Sequence, residues 1–313
     1  MFISICIPAY KNLLFLERLL NSIAVQTFKD FEVVITDDSP DDELRIFLEN
    51  YQSHYPIQYY KNQYALGTPE NWNEGIRKAK GEWIKIMHDD DWFLHENSLA
   101  QFASLAQANQ NAFIFSAYQN LYLEEKRTEK VVEDSDSFRF KHLKKNVASL
   151  LSKNIIGPPS VIMHKNDGKI FYDKQLKWLV DIDFYVHRMK SDKIIYIDEP
   201  LINVGLSNEQ VTKSCFRIAD VEIPEYFYFM NKIGFNNLKN ILVYDASWRL
   251  LRNLEIRNLN QLLAHESKVE IPQTIKSMIQ FQNLFPIGIL KIGLLSKMLM
   301  LIHYIFNNTK FKS

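Results

Sequence analysis

Apolar positions along the first 118 residues alternate between two spacings. Phe2–Ile7 is a short apolar run closed by Pro8, after which Leu13, Leu16, Leu19, Leu20 and Ile23 recur at helical spacing. Phe31–Thr36 is rich in β-branched residues and stops at Asp37-Asp38-Ser39-Pro40. Leu44, Phe47, Leu48 and Tyr51 follow at i, i+3, i+4, i+7, the stripe of a second helix. Ile57–Lys61 reads as a third strand and Pro69–Lys80 as a helix with proline near its start. Trp83–Met87 gives a fourth strand, Leu99, Phe102 and Leu105 mark another helix, and Ala112–Tyr118 gives a fifth strand. This alternation predicts βαβ units: an α/β fold with a mostly parallel, Rossmann-like sheet flanked by helices.

Beyond Tyr118 the pattern weakens. Glu124–Asp136 is charged and reads as an exposed hairpin or loop, Lys141–Ser152 as a helix, and Asn154–Ser160 as a turn-rich connector into a strand at Val161–His164. A helix over Trp178–Lys190 and short strands at Lys193–Ile197 and Pro200–Leu206 follow, and after Cys215 the pattern is helical. The expected division is therefore a catalytic α/β domain over 1–215 and a helical extension over 216–313.

Chemistry concentrates where strands end. The fourth strand runs straight into His88-Asp89-Asp90-Asp91. Three carboxylates cannot be buried cheaply in a strand interior, so they belong at its end, in water or against a divalent cation. Hard cations such as Mg²⁺ and Mn²⁺ take oxygen ligands and bridge carboxylates to phosphates. The plainer alternative is an acidic first turn of a helix. Ligands of open parallel sheets bind beyond the carboxyl ends of the strands. Pro8-Ala9-Tyr10, Asp37-Asp38 and Asp89-Asp90-Asp91 each follow a strand immediately, so all three should converge on one edge.

Bulk composition narrows the classes. With 37 basic and 37 acidic residues the formal net charge is zero, which argues against nucleic acid as a partner. Two cysteines are too few for a zinc cluster or a disulfide framework. The first residues carry no basic leader pattern, so a cytoplasmic location is expected. From Ile271 to Ser313 there is no acidic residue, while Lys276, Lys291, Lys297, Lys310 and Lys312 interrupt the apolar runs. No run is long enough to span a bilayer. Peripheral contact with the inner face of the cell membrane, packing onto the catalytic domain and association with a second subunit all fit this segment. A nucleotidyltransferase would want a glycine-rich basic loop after the first strand, which Pro8–Asn12 does not supply, and the Gly-x-Gly-x-x-Gly turn of a dehydrogenase is missing too.

Taken in order, the motifs resemble the inverting family 2 glycosyltransferases of the GT-A fold. The matching pieces are Ser4–Tyr10, Leu20–Ile23 with Gln26-Thr27-Phe28, Phe31–Ile35 leading into Asp37-Asp38-Ser39, Asn73–Ile76, Ala79–Ile84 and Asp89-Asp90-Asp91. The resemblance implies transfer of a sugar from a nucleotide-diphosphate donor, a UDP-sugar by preference, to a hydroxyl of a glycan or lipid-linked glycan. It puts Pro8, Ala9, Tyr10, Asp38, Asn73, Asp89 and Asp90 at the nucleotide sugar, with Tyr10 stacking on the base and Asp38 accepting from its ring N–H. Asp90 becomes the ligand of Mn²⁺ or Mg²⁺. Asp181, in a segment similar to the family's Glu-Asp-x-x-Phe-Trp, becomes the general base, with Asp183 as the second choice.

Plainer roles remain open beside these. They are an Asx turn or helix cap for Asp37 and Asp38, and N-terminal capping for Asp181. His88 replaces the family's first acid and Val180 its glutamate; His88 could ligate the metal, donate to a phosphate or pack against the strand before it. Both departures keep a non-catalytic nucleotide-sugar-binding relative in view.

Overall fold

A computed structural model describes residues 1–206, 215–266 and 268–310. The chain divides into two compact units. The first comprises Met1–Lys141, Ile155–Lys174 and Asp183–Gln210. The second comprises His142–Asn154, Gln175–Ile182 and Val211–Ser313, so it takes two internal segments along with the helical extension.

The first unit is built on a nine-stranded sheet: β1 (Ile3–Ala9), β2 (Phe31–Asp37), β3 (Ile57–Lys61), β4 (Trp83–Ile86), β5 (Trp92–Phe93), β6 (Ala112–Tyr122), β7 (Arg127–Val131), β8 (Ile162–Lys165) and β9 (Lys193–Leu206). The order is β3-β2-β1-β4-β8-β6-β9-β5, with β7 on β6 as a hairpin. The first four strands are parallel neighbours, and every residue of β2 is buried. Burial on both faces is why β1, β2 and β4 read as largely continuous apolar runs, whereas edge strand β3 is half-buried along its length. Helices α1 (Leu13–Ala24), α2 (Glu43–Asn50) and α3 (Glu70–Lys78) connect them in sequence, and α4 (Ser98–Ala108) leads from β5 into β6.

Three expected elements come out differently. β1 continues through Pro8 and Ala9, paired with Thr36 and Asp37 of β2. β4 accompanies β1 only from Ile3 to Cys6, so beyond that point a residue without an N–H is tolerated. The fifth strand does not join the parallel set directly, because antiparallel β8 lies between β4 and β6. The two short strands near residue 200 are one strand, β9, whose register against β6 jumps around Pro200. Pro200 still stands opposite Ala117, and the extra residues of β9 on either side of it make the bulge.

Glu32, buried inside the sheet, is hydrogen-bonded. It accepts from the Ser4 hydroxyl and the Lys80 amide, each at 2.7 Å. Gly81, at the entry to β4, passes so close to β1 that a Cβ there would lie 2.5 Å from the Ser4 nitrogen.

Two further helices, α5 (Phe138–Lys145) and α6 (Val180–Met189), run across the division between units. The helix expected to reach Ser152 ends at Lys145, because the Asn146 side chain accepts from the Ala148 amide and opens a separate 3-10 turn at Val147–Ser152. The start expected at Trp178 shifts to Val180: the Glu225 carboxylate takes the Lys177, Trp178 and Leu179 amides at 2.8–2.9 Å.

The second unit contains α7 (Ala219–Ile233), α8 (Ile241–Asn253), α9 (Leu259–His265), α10 (Gln273–Asn283), α11 (Ile287–Lys291) and α12 (Gly293–Lys310). α8 is its centre, with Trp248 and Tyr244 buried. Among the described residues no helix is long and apolar enough to cross a membrane. Lys312 lies outside them.

Candidate active site

The acidic turn after β4 is held from four sides. The Asp89 carboxylate accepts from the Tyr10 amide at 3.2 Å, at the end of β1. The Asp91 carboxylate accepts from the Gly205 amide in β9 at 3.0 Å. Arg18 of α1 donates to the Asp90 carbonyl at 2.8 Å, and its guanidinium lies 3.7 Å from the Trp92 ring. The His88 amide donates to the Ser160 hydroxyl at 2.9 Å.

The end of β2 joins the same edge. The Asp38 amide donates to the Ala9 carbonyl at 3.1 Å, and the Lys11 amide donates to the Ser39 hydroxyl at 2.7 Å. The three strand-end clusters are thus one continuous rim. Tyr10 stands on it 52% exposed, with the Lys11 ammonium 4.8 Å from its ring.

The two β2 aspartates differ in what they leave available. Asp37 is fully buried and closes an Asx turn, accepting from the Ser39 amide at 2.7 Å. Its other oxygen takes the Tyr59 hydroxyl and the Lys61 ammonium at 2.7 and 3.2 Å. Asp38 accepts from the Asn62 side chain and the Leu66 amide on one oxygen and from the Gly67 amide on the other, at 2.7–3.0 Å. A carboxylate has about four acceptor positions, so Asp38 keeps one beyond these. Asn73, expected at the nucleotide sugar, is buried and exchanges two hydrogen bonds with the Tyr172 backbone at 2.8 and 2.9 Å. Its amide braces the segment 99 residues downstream instead of facing outward.

Electrostatics at the turn are those of crowded, buried acids that Arg18 and Lys85 offset only in part. Burial, then the Asp90 charge, push Asp89 up to about 7. Burial and Asp90 also raise Asp91, partly offset by the neighbouring Ser160 hydroxyl, then by the Gly205 amide and Lys85. Lys85 is buried in β4, donates to the Ser160 carbonyl, and is lowered by burial to about 7. Burial and the Lys85 charge lower His88 to about 4, which keeps the imidazole neutral, as metal ligation requires.

Ligand atoms of His88, Asp90 and Asp91 lie within 4.8 Å of one another. His88 Nε2 and Asp91 Oδ2 are enclosed with no hydrogen-bond partner. Two enclosed, unsatisfied polar atoms side by side are costly unless a ligand takes them. One imidazole and two carboxylates make a donor set that fits a divalent cation. His88 also packs on Trp72, ring centroids 4.7 Å apart, so packing and ligation are compatible in one ring.

Sequence reasoning missed Arg18, Lys85, Ser160 and Gly205. Lys85 carried a signal: a lone charge in an apolar strand calls for a carboxylate nearby. Gly205 approaches the turn so closely that a Cβ would meet the Asp90 carbonyl at 2.4 Å. Gly205→Ala should therefore push the turn off β9, destabilising the protein by about 1–3 kcal/mol. It should also weaken binding of a divalent cation at the turn at least ~10-fold, since a misplacement near 1 Å is enough. Thermal unfolding and calorimetry check both; an unchanged variant would mean that the turn tolerates displacement.

Asp181 lies in the second unit, in the first turn of α6, whose residues from Asp183 onward belong to the first. Its Oδ1 is enclosed without a partner, although the residue keeps partial exposure, and burial pushes it up to about 7.

Comparison with known proteins agrees with this architecture. The family model described as glycosyl transferase family 2 matches residues 4–171. The GalNAc(5)-diNAcBac-PP-undecaprenol beta-1,3-glucosyltransferase of Campylobacter jejuni is 34% identical over 94 residues, 29% of this chain and 30% of that protein. The chain thus spans under a third of that relative's length. Among solved structures, S. aureus TarS 1-349 in complex with UDP-GlcNAc matches with a TM-score of 0.58 at 17% identity, covering 91% of this chain and 81% of that one. Mannosyltransferase PcManGT from Pyrobaculum calidifontis, in complex with GDP-Man and Mn2+, matches with a TM-score of 0.56 at 14% identity, covering 99% and 88%. With more than half its length matched by the family model, and with the GT-A arrangement of sheet and helices, this chain belongs to glycosyl transferase family 2.

Proposed function

We propose that the chain is an inverting glycosyltransferase that moves a sugar from a UDP-sugar to a hydroxyl of a glycan or lipid-linked glycan. The observation that carries this reading is the His88, Asp90 and Asp91 donor set at the strand ends, with two enclosed orphan atoms, beside the exposed ring of Tyr10. Mn²⁺ or Mg²⁺ would be held by Asp90, with His88 and Asp91 completing the protein's share. When bound, the cation supplies positive charge against the leaving diphosphate.

The protein's own groups do the rest. Tyr10 offers a flat amphipathic ring for the base. The remaining acceptor position of Asp38 suits a ring N–H, which uracil presents. Asp89, tied to the Tyr10 amide, fixes the rim between base and diphosphate. In the transfer, the acceptor oxygen bonds to the anomeric carbon while the carbon–oxygen bond to the diphosphate breaks. The electron pair leaves with the diphosphate, and Asp181 takes the hydroxyl proton. One displacement inverts the centre, and no carboxylate nucleophile is needed. The lipid-linked acceptor draws support from the undecaprenol-linked substrate in the Campylobacter relative's name, and such chemistry suits the cytoplasmic face of a membrane.

Titration calorimetry tests the donor half. UDP should bind in the presence of Mn²⁺ and at least ~10-fold more weakly with chelator, because the diphosphate would then face uncompensated acids. Equal binding in both conditions would overturn the metal role, and no binding in either would overturn the donor assignment.

A further inference from the structure

We propose that the outward face of α12 is a docking surface for an anionic lipid bilayer, on which the helix lies without crossing. An ordinary surface helix turns its polar side to water, whereas this one buries polar side chains beside Met300 and exposes an apolar stripe. Its inward positions Ser296 and His303 are buried and hydrogen-bonded. The Ser296 hydroxyl accepts from Trp248 and Arg252, both at 3.0 Å, and His303 bonds the Tyr244 hydroxyl and the Ser277 hydroxyl at 2.5 and 3.0 Å. Leu294, Met298, Leu301, Ile302 and Ile305 lie on the opposite side and are 41–72% exposed. Their spacing of 0, 4, 7, 8 and 11 makes one stripe along three turns. Ile292, just before the helix, extends it at 52% exposure. Apolar surface of this continuity marks an interaction site.

Charge selects the occupant. The whole chain is neutral, yet Ile271–Ser313 holds five lysines and no acid. Lys297 is exposed beside the stripe. Lys291, just before the helix, pairs with Glu255 while remaining 57% exposed. Lysines flanking an apolar stripe match anionic headgroups over acyl chains. A spanning role is barred by geometry, because the inner face of the helix is committed to α8 and α10.

Vesicle flotation of the full chain without any sugar donor tests this separately from the transfer reading. Wild type should bind phosphatidylglycerol–phosphatidylethanolamine vesicles at least ~10-fold more tightly than phosphatidylcholine vesicles, and less tightly at about 0.5 M salt. Leu294→Gln with Leu301→Gln and Ile305→Gln should lower anionic-vesicle binding at least ~10-fold and leave UDP binding unchanged. Lys297→Glu, a milder exposed change, should lower it in the same direction. Failure of wild type to float with the anionic vesicles, or equal flotation of the variants, would overturn the proposal. So would a concentration-dependent dimer of wild type that the triple variant abolishes without vesicle binding.

Discussion

Asp90→Ala is expected to lower kcat/KM at least ~100-fold, about 2.7 kcal/mol of transition-state stabilisation, while leaving the fold intact. In the proposed donor set this carboxylate lies with His88 and Asp91, each of which has an enclosed atom without a hydrogen-bond partner. Without a cation, the Asp90 charge works against its neighbours: it raises both Asp89 and Asp91. Removing it relieves that repulsion, so the metal-free variant should melt at or above the wild-type temperature. Manganese separates the two readings of such a result. A ligand present at 100 times its Kd stabilises the native state by about 2.7 kcal/mol, so wild type should melt progressively higher as Mn²⁺ is added. The variant should stay nearly flat. A variant with near-normal turnover, or with the full Mn²⁺ response, would take Asp90 out of the metal role.

How much of this was open to reading depends on how local the cause was. β1, β2 and β4 were legible because burial on both faces leaves uninterrupted apolar runs, and the acids after them were legible as charges no strand interior accepts. β8 resisted placement: it is four residues long, and its partners in β4 and β6 are distant in sequence. Lys193–Ile197 and Pro200–Leu206 read as two short strands, whereas β9 runs through both with a bulge around Pro200. The same contrast governs the site. Tyr10, Asp38 and the acidic turn announce themselves at strand ends. Arg18 looks like any solvated cation on an amphipathic helix, and only tertiary approach aims it at the Asp90 carbonyl. Asn73 shows the converse: it sits in a matching motif, and only the tertiary structure reveals that its side chain bonds the Tyr172 backbone.

Asp181→Asn should lose activity and gain stability together. Its Oδ1 is enclosed without a partner, and burial moves the group from the ordinary carboxylate range up to about 7. Between about pH 4 and that value the folded chain holds a proton that the unfolded chain has released. Native stability therefore falls as pH rises through this window, and the whole penalty is present above it. Asparagine cannot ionise, so the variant should be more stable than wild type at pH 8, by about 1–3 kcal/mol, and no more stable near pH 4. Turnover runs the other way. A general base acts only when ionised, so wild-type kcat should climb about tenfold per pH unit below 7 and level off above it. Asp181→Asn should lie at least ~100-fold lower with that inflection gone. Asparagine caps helices about as well as aspartate, so a residue that merely capped α6 would show neither the loss nor the stabilisation. Full turnover in the variant, or an inflection near 7 that survives it, would move the base elsewhere, with Asp183 two positions along the same helix the next carboxylate to replace.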